Sequence, residues 1–528
     1  MKNNDNRQGY LWNLVNLLPT QQLIRLSNTK FLTKVRCMAL ANVVGKAGFW
    51  ASCVTFLSLN SAVAQAPPAD FSTAVVGSNW NQAIGLTFTT DGQTMFVWEK
   101  GGTIWTVVGN VKSASPLLDI SQEVGNWRDH GLVSMALDPN FSASGGYIYL
   151  LYDVDRHYLL NYGTSAYSPT ANEYFNATIA RLTRYTVQGN GNNFSVDLSS
   201  RKILLGETKS TGIVITHESH GAGALAFGSD GTLLLTAGDG ASYTGADVGV
   251  GKVGVDSYDA NDSIAYERTY ARQALLDGIL MPTENVGSFR SQLLTSLNGK
   301  ILRIDPATGD GIPSNPYYDA SNPHSASSRI WALGIRNSYR MTRRPDTGST
   351  LASAGNPGVF YLGEVGWGFW EELNICSASG QNFGWPLFEG LQPASGYPFK
   401  LTRNQTALNP LADGTNCHAY FSFRDLITQP LATGQPTFPN PCNPTQTIPT
   451  QYTFVHTRPT LDWQHGAGPS RVGTFSGNTV AVTNVGATGS PTNGTTFGGN
   501  ASTAGVWYTG DDFPAQYKNT YFHADYGG

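Results

Sequence analysis

Hairpin-like segments recur along this chain and constrain its fold more than any other feature. Each has an alternating apolar strand, a turn rich in Gly and Asp, and a second such strand, as in GALAFGSDGTLLLTAGDG at 223–240. This alternation around Asp-Gly or Gly-Gly turns indicates antiparallel β-hairpins. The four clearest segments are 85–107, 131–154, 223–240 and 505–528. Their irregular spacing predicts an all-β chain of propeller-like blades with long inserted loops.

Polar, turn-rich stretches separate these segments. Residues 401–449 and 473–502 contain many Gly, Thr, Asn and Pro residues, and we expect them to be mobile surface loops. A third stretch, 243–296, contains YERTYARQALLDGILM at 266–281, where apolar residues recur at about helical spacing. We therefore expect a helix at this position and little helix elsewhere.

The first 65 residues differ from the rest in charge. They hold seven Lys or Arg and one acidic residue, and basic residues precede the apolar run GFWASCVTFLSL at 48–59, which is followed by NSAVAQA. This order is typical of a secretory signal, here with a long basic leading region. A membrane anchor is the alternative, but about twelve apolar residues are fewer than the roughly 20 that a spanning helix needs. We assign 1–66 to the signal peptide and 67–528 to an exported domain, periplasmic or extracellular, with no stable membrane span.

Charge and cysteine content narrow the range of partners. The full chain has a formal net charge of −4, which becomes −10 when the first 65 residues are left out. We expect no nucleic-acid partner, because phosphate binding needs clustered Lys and Arg. Cys376, Cys417 and Cys442 follow the signal, so one disulfide and one free thiol are allowed. We favour Cys417 with Cys442, a pair that would close a local loop in an oxidising compartment.

Four motifs, in sequence order, resemble the soluble glucose/sorbosone dehydrogenase family. They are His220 followed by GAGALAFGSDGTLLLTAGD, then LNGKILRIDPATGDGIPSNP (297–316), WALGIRNSYRM (331–341) and GEVGWGFWEELNICSASGQNFGWPLFEG (363–390). The resemblance covers most of 85–390, with a last match at 505–528. It implies a six-bladed β-propeller that binds pyrroloquinoline quinone (PQQ) and Ca²⁺ on its central face. The implied activity is oxidation of the anomeric hydroxyl of a sugar, with an external electron acceptor.

The resemblance also assigns roles to individual residues. The family's catalytic base falls on His220, and its quinone-binding Arg-Asn pair falls on Arg336 and Asn337. Imidazole titrates near neutral pH, so it can take the hydroxyl proton while hydride leaves for the quinone. A guanidinium presents a fixed charge and several donors to quinone and carboxylate oxygens. The alternative is that His220 and Arg336 only hydrogen bond within the blades.

Two other regions complete the expected site. Asp129 matches a position that is often polar and faces the cofactor in the family, although capping of the following turn is an alternative. The family's calcium is bound by backbone carbonyls that match Gly366 and Trp367, and main-chain oxygens are suitable hard ligands. Trp367 itself replaces a proline of the best-known members. Glu371 and Glu372 could supply further oxygens, or could simply hydrogen bond between blades.

The chain departs from the family at several positions. Ser219 stands where well-studied members have Asp, which would weaken any acidic orientation of the base; Ala224 replaces a frequent Arg, and Val365 a polar residue. The chain stops soon after its last match, leaving a propeller edge unpaired, and we expect it to be incomplete at the C-terminus. The substitutions at Ser219, Ala224 and Val365 fit the competing hypothesis, a non-catalytic propeller that binds carbohydrate or a protein. A sugar-lactone hydrolase fits less well, because the motifs lack a carboxylate-rich pocket.

Overall fold

The computed structural model describes residues 71–72, 74–250, 268–466 and 468–527. The chain divides into two units, Met1–Ala74 and Val75–Gly528. The predicted signal peptide at 1–66 lies outside the described residues, so this assignment and the domain boundary at residue 67 stay predictions.

Strands form most of the described secondary structure, and the N-terminal half contains three sheets. The first sheet contains β1 (Ala83–Phe88), β2 (Thr94–Glu99), β3 (Thr103–Val108), β4 (Val111–Lys112) and β5 (Leu118–Asp119). The second contains β6 (Leu132–Leu137), β7 (Gly145–Asp153), β8 (Thr178–Asn190), β9 (Asn193–Leu205) and β10 (Ile213–Ile215). The third contains β11 (Ala222–Phe227), β12 (Leu233–Ala237), β13 (Lys300–Ile304) and β14 (Ile330–Leu333).

The C-terminal half has one large sheet and several two-stranded ones. The large sheet begins with β15 (Arg340–Arg343), β16 (Phe360–Glu364) and β17 (Trp370–Cys376). Eight short strands follow: β18 (Phe388–Glu389), β19 (Gln392–Pro393), β20 (Arg403–Leu408), β21 (Tyr420–Ser422), β22 (Ile427–Thr428), β23 (Pro439–Asn440), β24 (Asn443–Thr447) and β25 (Phe454–Val455). The large sheet is completed by β26 (Leu461–Gln464), β27 (Ser470–Ser476) and β28 (Thr479–Asn484). Finally, β29 (Ser502–Tyr508) pairs with β30 (Thr520–Asp525).

Helices are short and few in the described chain. They are α1 (Arg156–Asn161), α2 (Arg268–Asp277) and α3 (Ala326–Arg329). Single 3₁₀ segments occupy Pro282–Glu284, Gly287–Gln292, Ala352–Ala354, Phe423–Asp425, Thr450–Tyr452 and Ala515–Tyr517. The α2 helix lies inside 266–281, which confirms the helix expected there. In the described ranges no helix has both the length and the apolar character to span a bilayer.

Sheet topology confirms the all-β class and the four predicted hairpin segments. Each segment holds consecutive antiparallel strands: β1 to β3, β6 with β7, β11 with β12, and β29 with β30. The third sheet is a four-stranded meander of order β11-β12-β13-β14, and the first has the path β1-β2-β3-β4. Four-stranded antiparallel sheets of this kind are the blades of propellers. Six blades in a closed ring stay a prediction.

The sheets pack face to face, and the leucine side chains of β12 illustrate this packing. Leu233 and Leu235 lie in a core shared with Tyr149 of the second sheet, whereas Leu234 lies in a core shared with Phe360 of the large sheet. Because successive side chains of a strand point to opposite faces, this run of leucines packs against a neighbouring sheet on each side. All three leucines are fully buried, and burial of each contributes roughly 1.5–3 kcal/mol.

Two stretches expected to be mobile surface loops contain strands, so they are not loops throughout, and their mobility stays a prediction. Residues 401–449 include β20 to β24, and 473–502 include most of β27 and all of β28. Long-range contacts order the first stretch: Cys417 and Cys442 form a disulfide, which confirms the favoured pairing, and the Asn440 amide donates to Oδ1 of Asn409 at 2.9 Å. Cys376 is a buried free thiol.

Candidate active site

The β11–β12 hairpin brings His220 next to Asp239. His220 precedes β11 and Asp239 follows β12, and the pairing of Ala222 with Ala237 places both residues at the same end of the hairpin. The Nδ1 atom of His220 lies 2.8 Å from Oδ1 of Asp239. Both side chains are buried. The expected base is therefore one half of a buried imidazole–carboxylate pair.

The backbone around His220 is closely packed. His220 has φ 61°, in the left-handed region that non-glycine residues rarely adopt. Its carbonyl oxygen accepts from Gly240 N at 3.0 Å, and a Cβ atom on Gly238 would collide with that oxygen. Strained backbone of this kind persists where the surroundings fix it and is concentrated at functional sites.

Hydrogen bonds define the tautomer of His220. The Asp239 carboxylate also accepts from the Trp385 indole nitrogen at 2.8 Å and from Ala241 N at 3.0 Å. Burial alone would raise the pKa of Asp239, but its interactions with His220 and Arg336 lower that pKa to about 2. An ionised carboxylate only accepts hydrogen bonds, so Nδ1 of His220 carries the proton and donates it. The lone pair of the neutral ring then lies on Nε2, and no hydrogen bond joins that atom to another described residue.

The charge state of His220 suits a base. Burial lowers the pKa of His220 below its ordinary value of 6.5, and the positive charge of Arg336 lowers it further. Asp239 opposes both effects. We take the pair as neutral imidazole with ionised carboxylate, because the carboxylate has three donors and the imidazole is fully desolvated. Near neutral pH, Nε2 is thus free to accept a proton.

Arg336 and Asn337 are held beside this pair by a second buried carboxylate. Glu364, the last residue of β16, accepts from the backbone N–H groups of Arg336 at 2.6 Å and Asn337 at 2.5 Å, and from the Ser338 hydroxyl. Burial raises the pKa of Glu364 to about 7. The Arg336 carbonyl in turn accepts from Asp239 N at 2.8 Å. The structure therefore joins the two motifs that carry His220 and Arg336.

The Arg336 side chain is buried, and one of its donors has no partner. Nη1 donates to the carbonyl oxygens of Val365 at 2.8 Å and Gly366 at 2.9 Å, and Cζ lies 5.4 Å from the Trp385 ring centroid. Within the described chain, Nε of Arg336 is buried without a hydrogen-bond partner. A buried unpaired donor is costly unless a ligand satisfies it. This donor and the neighbouring indole fit a planar, oxygen-rich molecule such as a quinone.

The Gly366 carbonyl, one of the two expected calcium ligands, is already hydrogen bonded, and the Trp367 carbonyl stays a prediction. The Gly366 oxygen already accepts from the Arg336 guanidinium, and the Trp367 indole donates to the Tyr243 carbonyl at 2.9 Å. Glu389 accepts from four consecutive backbone N–H groups, those of residues 367–370. The part of the chain that the structure describes contains no group of three His, Cys, Asp or Glu residues able to hold a metal. These residues do not fit a calcium ion at the Gly366 oxygen.

Asp129 lies near the His220 segment without hydrogen bonding the imidazole. Its Oδ2 accepts from the Ser219 hydroxyl at 2.7 Å, and its N–H donates to the Glu218 carbonyl at 3.3 Å. Ser219 therefore pairs with Asp129, and Asp239 supplies the acidic orientation of His220 that Ser219 was expected to weaken. His130 Nε2 lies 3.0 Å from the His217 carbonyl, and burial lowers the His130 pKa to about 3.

A second imidazole–carboxylate pair lies on the other side of Gly366. Nε2 of the partly exposed His465 lies 2.6 Å from Oε1 of the fully buried Glu371. Glu371 also accepts from Gly366 N at 3.2 Å and Ser502 N at 2.6 Å. The hydrogen bond to Glu371 raises the pKa of His465. Glu371 thus hydrogen bonds between chain segments, which was one of the two roles weighed for it.

Sequence reasoning missed Asp239, Glu364, Trp385 and the His465–Glu371 pair. Asp239 was visible only as part of a Gly-Asp-Gly turn, yet the pairing register of the surrounding hairpin could have placed it beside His220. Glu364 ends strand β16 at the start of a matched motif, and its acceptor role had no local signal. His465 lies between the matched motifs, directly after β26, a strand that joins the large sheet from far along the chain.

Comparison with known proteins gives a family match over more than half of the chain. The family model described as Glucose / Sorbosone dehydrogenase matches residues 80–254 and 280–414. The HIPL1 protein of Arabidopsis thaliana is 22% identical over 305 residues, which is 53% of this chain and 36% of that protein. The HIPL2 protein of the same plant is 24% identical over 310 residues, with the same coverages. The chain thus spans about a third of the length of these relatives.

Solved structures similar to this chain include sugar dehydrogenases. The PQQ-bound form of an aldose sugar dehydrogenase from Streptomyces coelicolor has 18% identity and a TM-score of 0.39, covering 79% of this chain and 86% of that one. A putative oxidoreductase (glucose dehydrogenase) from Thermus thermophilus has 20% identity and a TM-score of 0.39, with coverages of 77% and 84%.

Proposed function

Because this chain belongs to the glucose/sorbosone dehydrogenase family, we propose that it is a PQQ-dependent oxidoreductase acting on the hydroxyl of an aldose or related sugar. The proposal includes a six-bladed β-propeller as its scaffold. The observation that carries it is the buried His220–Asp239 pair, hydrogen bonded through the backbone to Arg336, whose Nε has no partner in the part of the chain that the structure describes. A base and a fixed positive charge are the protein groups that oxidation of an alcohol needs.

His220 is the proposed general base. Its Nε2 lone pair accepts the proton of the anomeric hydroxyl as the C–H bond breaks, and the proton stays on the imidazole until solvent removes it. Asp239 holds the ring in the tautomer that this step requires and stabilises the imidazolium that forms. The lowered pKa of His220 keeps the ring unprotonated before the reaction.

Arg336, Asn337 and Asp129 are the proposed cofactor contacts. Arg336 offers its Nε–H, which has no partner among the described residues, and Glu364 fixes the backbone of both Arg336 and Asn337. When bound, PQQ supplies an acceptor for the two electrons that leave the sugar as hydride, and an external electron acceptor would reoxidise it. Calcium has no part in the proposed step.

The proposed location is the periplasm or the cell exterior. The charge order and apolar run of the first 66 residues support export. The Cys417–Cys442 disulfide supports an oxidising compartment, because cytosolic thiols are kept reduced. An external electron acceptor is then a component of the same compartment.

Cofactor binding followed by a sugar panel tests the proposal. The purified protein is titrated with PQQ while absorbance and tryptophan fluorescence are followed, and dye reduction is then measured with a range of aldoses. We expect saturable PQQ binding and sugar-dependent dye reduction. The matched control for a His220→Ala variant is His324→Ala. Like His220, His324 lies against carboxylate groups, those of Asp310 and Glu207, but its side chain is exposed. A folded protein that binds no PQQ would refute the dehydrogenase proposal and favour the non-catalytic, carbohydrate- or protein-binding propeller.

A further inference from the structure

We propose that the Arg336 guanidinium takes the place of a divalent cation in this chain, so that the quinone site works without calcium. This inference rests on the proposed function and concerns which charge neutralises the bound quinone. The starting observation is that Nη1 of Arg336 donates to two successive carbonyl oxygens, those of Val365 and Gly366. A cation bound to main-chain oxygens is thereby already present, and it is part of the protein.

A dication at the same oxygen would face strong repulsion. Calcium binds oxygens at about 2.3–2.6 Å, and the Arg336 nitrogen lies 2.9 Å from the Gly366 oxygen. The two positive groups would then be close neighbours in a buried site, where solvent screens them poorly. Arg336 is 4% exposed, so its charge is not moved into water without breaking its present contacts.

Backbone hydrogen bonds also fix the position of the Arg336 segment. Glu364 accepts from the backbone of Arg336, and Val365 N donates to the Asn337 carbonyl at 3.3 Å, so the donor and acceptor segments are bonded to each other. The Trp385 ring lies beside Cζ. Displacement of Arg336 by a metal would therefore disrupt the turn that presents Asn337.

The nearby carboxylates are engaged by the protein's own donors. Glu389 accepts from the backbone N–H groups of residues 367–370. Glu371 accepts from Gly366 N, Ser502 N and His465, and Glu364 accepts from residues 336–338. A calcium site takes six to eight oxygens from carboxylates, carbonyls and waters, and the carboxylate oxygens that accept these bonds would have to exchange their present donors for the metal. The fixed guanidinium needs none of these changes.

Quinone binding with and without calcium tests this inference. The protein is treated with a chelator, divided, and titrated with PQQ either in chelator or in about 1 mM CaCl₂, with tryptophan fluorescence as the readout. We expect dissociation constants that agree within about twofold. A dissociation constant that is tenfold or more lower in calcium would overturn the inference.

Two variants separate the guanidinium from a general loss of folding. Arg336→Met keeps the length of the side chain and removes its charge, and we expect it to weaken PQQ binding in chelator by tenfold or more. Arg343→Met is the matched control, because Arg343 is more exposed and its guanidinium donates to the nearby carbonyls of Arg344 and Thr347. Circular dichroism and the melting temperature confirm that each variant is folded. Unchanged PQQ affinity in Arg336→Met would contradict the inference.

The melting temperature of the protein without quinone distinguishes failure of the inference from failure of the proposed function. If no PQQ binds in either buffer, the proposed function fails, and the effect of calcium on the melting temperature of the protein alone still decides the inference. A ligand that binds only the folded state raises the melting temperature. No rise with calcium supports a built-in cation, and a clear rise overturns it.

Discussion

The Nδ1 atom of His220 and the Oδ1 atom of Asp239 lie 2.8 Å apart, and both side chains are almost fully buried. The same carboxylate accepts from Trp385, so Asp239 links the base to the indole beside Arg336. One carboxylate therefore fixes the tautomer of the proposed base and its position relative to the proposed cofactor contacts.

Removal of the Asp239 charge should impair turnover more than cofactor binding. In Asp239→Asn the side-chain amide can donate to Nδ1, which would move the imidazole proton to Nε2 and remove the basic lone pair. We expect kcat to fall roughly 10²- to 10⁴-fold. Asp310→Asn is the matched control, because Asp310 Oδ1 also lies 2.8 Å from a histidine Nδ1, that of the exposed His324. Equal kcat values for Asp239→Asn and the wild type, measured by dye reduction, would contradict this role.

The pH profile of sugar oxidation should report a neutral base. Burial and Arg336 lower the pKa of His220 below 6.5, so the ring stays unprotonated at neutral pH. Activity should then be constant above neutral pH and decrease only as the pH falls through the lowered pKa. Dye reduction with saturating PQQ, measured across the acid range, gives kcat/KM at each pH. An apparent pKa above 7 for the rising limb would be inconsistent with a desolvated His220.

Acid should destabilise the fold through buried histidines. Burial lowers the pKa of His130 from 6.5 to about 3, so the unfolded chain binds this proton more tightly than the folded chain. The contribution of neutral His130 to the stability of the fold is fully present above pH 6.5 and is lost as the pH falls from 6.5 towards 3. Between about pH 7 and pH 5 the loss is about 2 kcal/mol for this residue. Urea unfolding at both pH values should show a smaller loss in His130→Gln, and an identical loss would exclude this contribution.

The disulfide should stabilise the β20–β24 region without affecting chemistry. Cys417 and Cys442 are 25 residues apart, and a cross-link that closes a loop of this size contributes about 3.5 kcal/mol in the chain-entropy account. We expect the double variant Cys417→Ala/Cys442→Ala to melt at a lower temperature while its kcat stays near that of the wild type. Reductant should lower the melting temperature of the wild type and leave the double variant unchanged. A reductant effect of equal size in both proteins would point to another cause.

The sequence predicted the hairpins and the α2 helix because their signals are local, and it predicted the disulfide because only three cysteines follow the signal segment. Alternating apolar residues identified β11 and β12, and helical spacing identified α2. Motif order selected His220 and Arg336, which the structure brings together through Asp239. The hairpin and helix predictions needed only residues close together along the chain, whereas motif order and cysteine pairing join residues that are 25 or more positions apart.

The remaining features depend on contacts between distant segments. Asp239 is paired with His220 by strand register, and Asp129 is bonded to Ser219 from a separate hairpin. The hydrogen bond from Arg336 to Gly366 depends on how one side chain lies over the next strand's turn, and no local pattern encodes that. The ordered strands within 401–449 and 473–502 were missed because their polar composition resembles that of loops.

The most direct test of the account is His220→Ala in the PQQ-loaded protein. If His220 is the base, sugar-dependent dye reduction should fall roughly 10²- to 10⁴-fold. The PQQ dissociation constant should stay within about threefold of the wild-type value, because the proposed cofactor contacts are on Arg336, Asn337 and Asp129. Turnover that is unchanged in His220→Ala, with PQQ bound, would contradict the central claim.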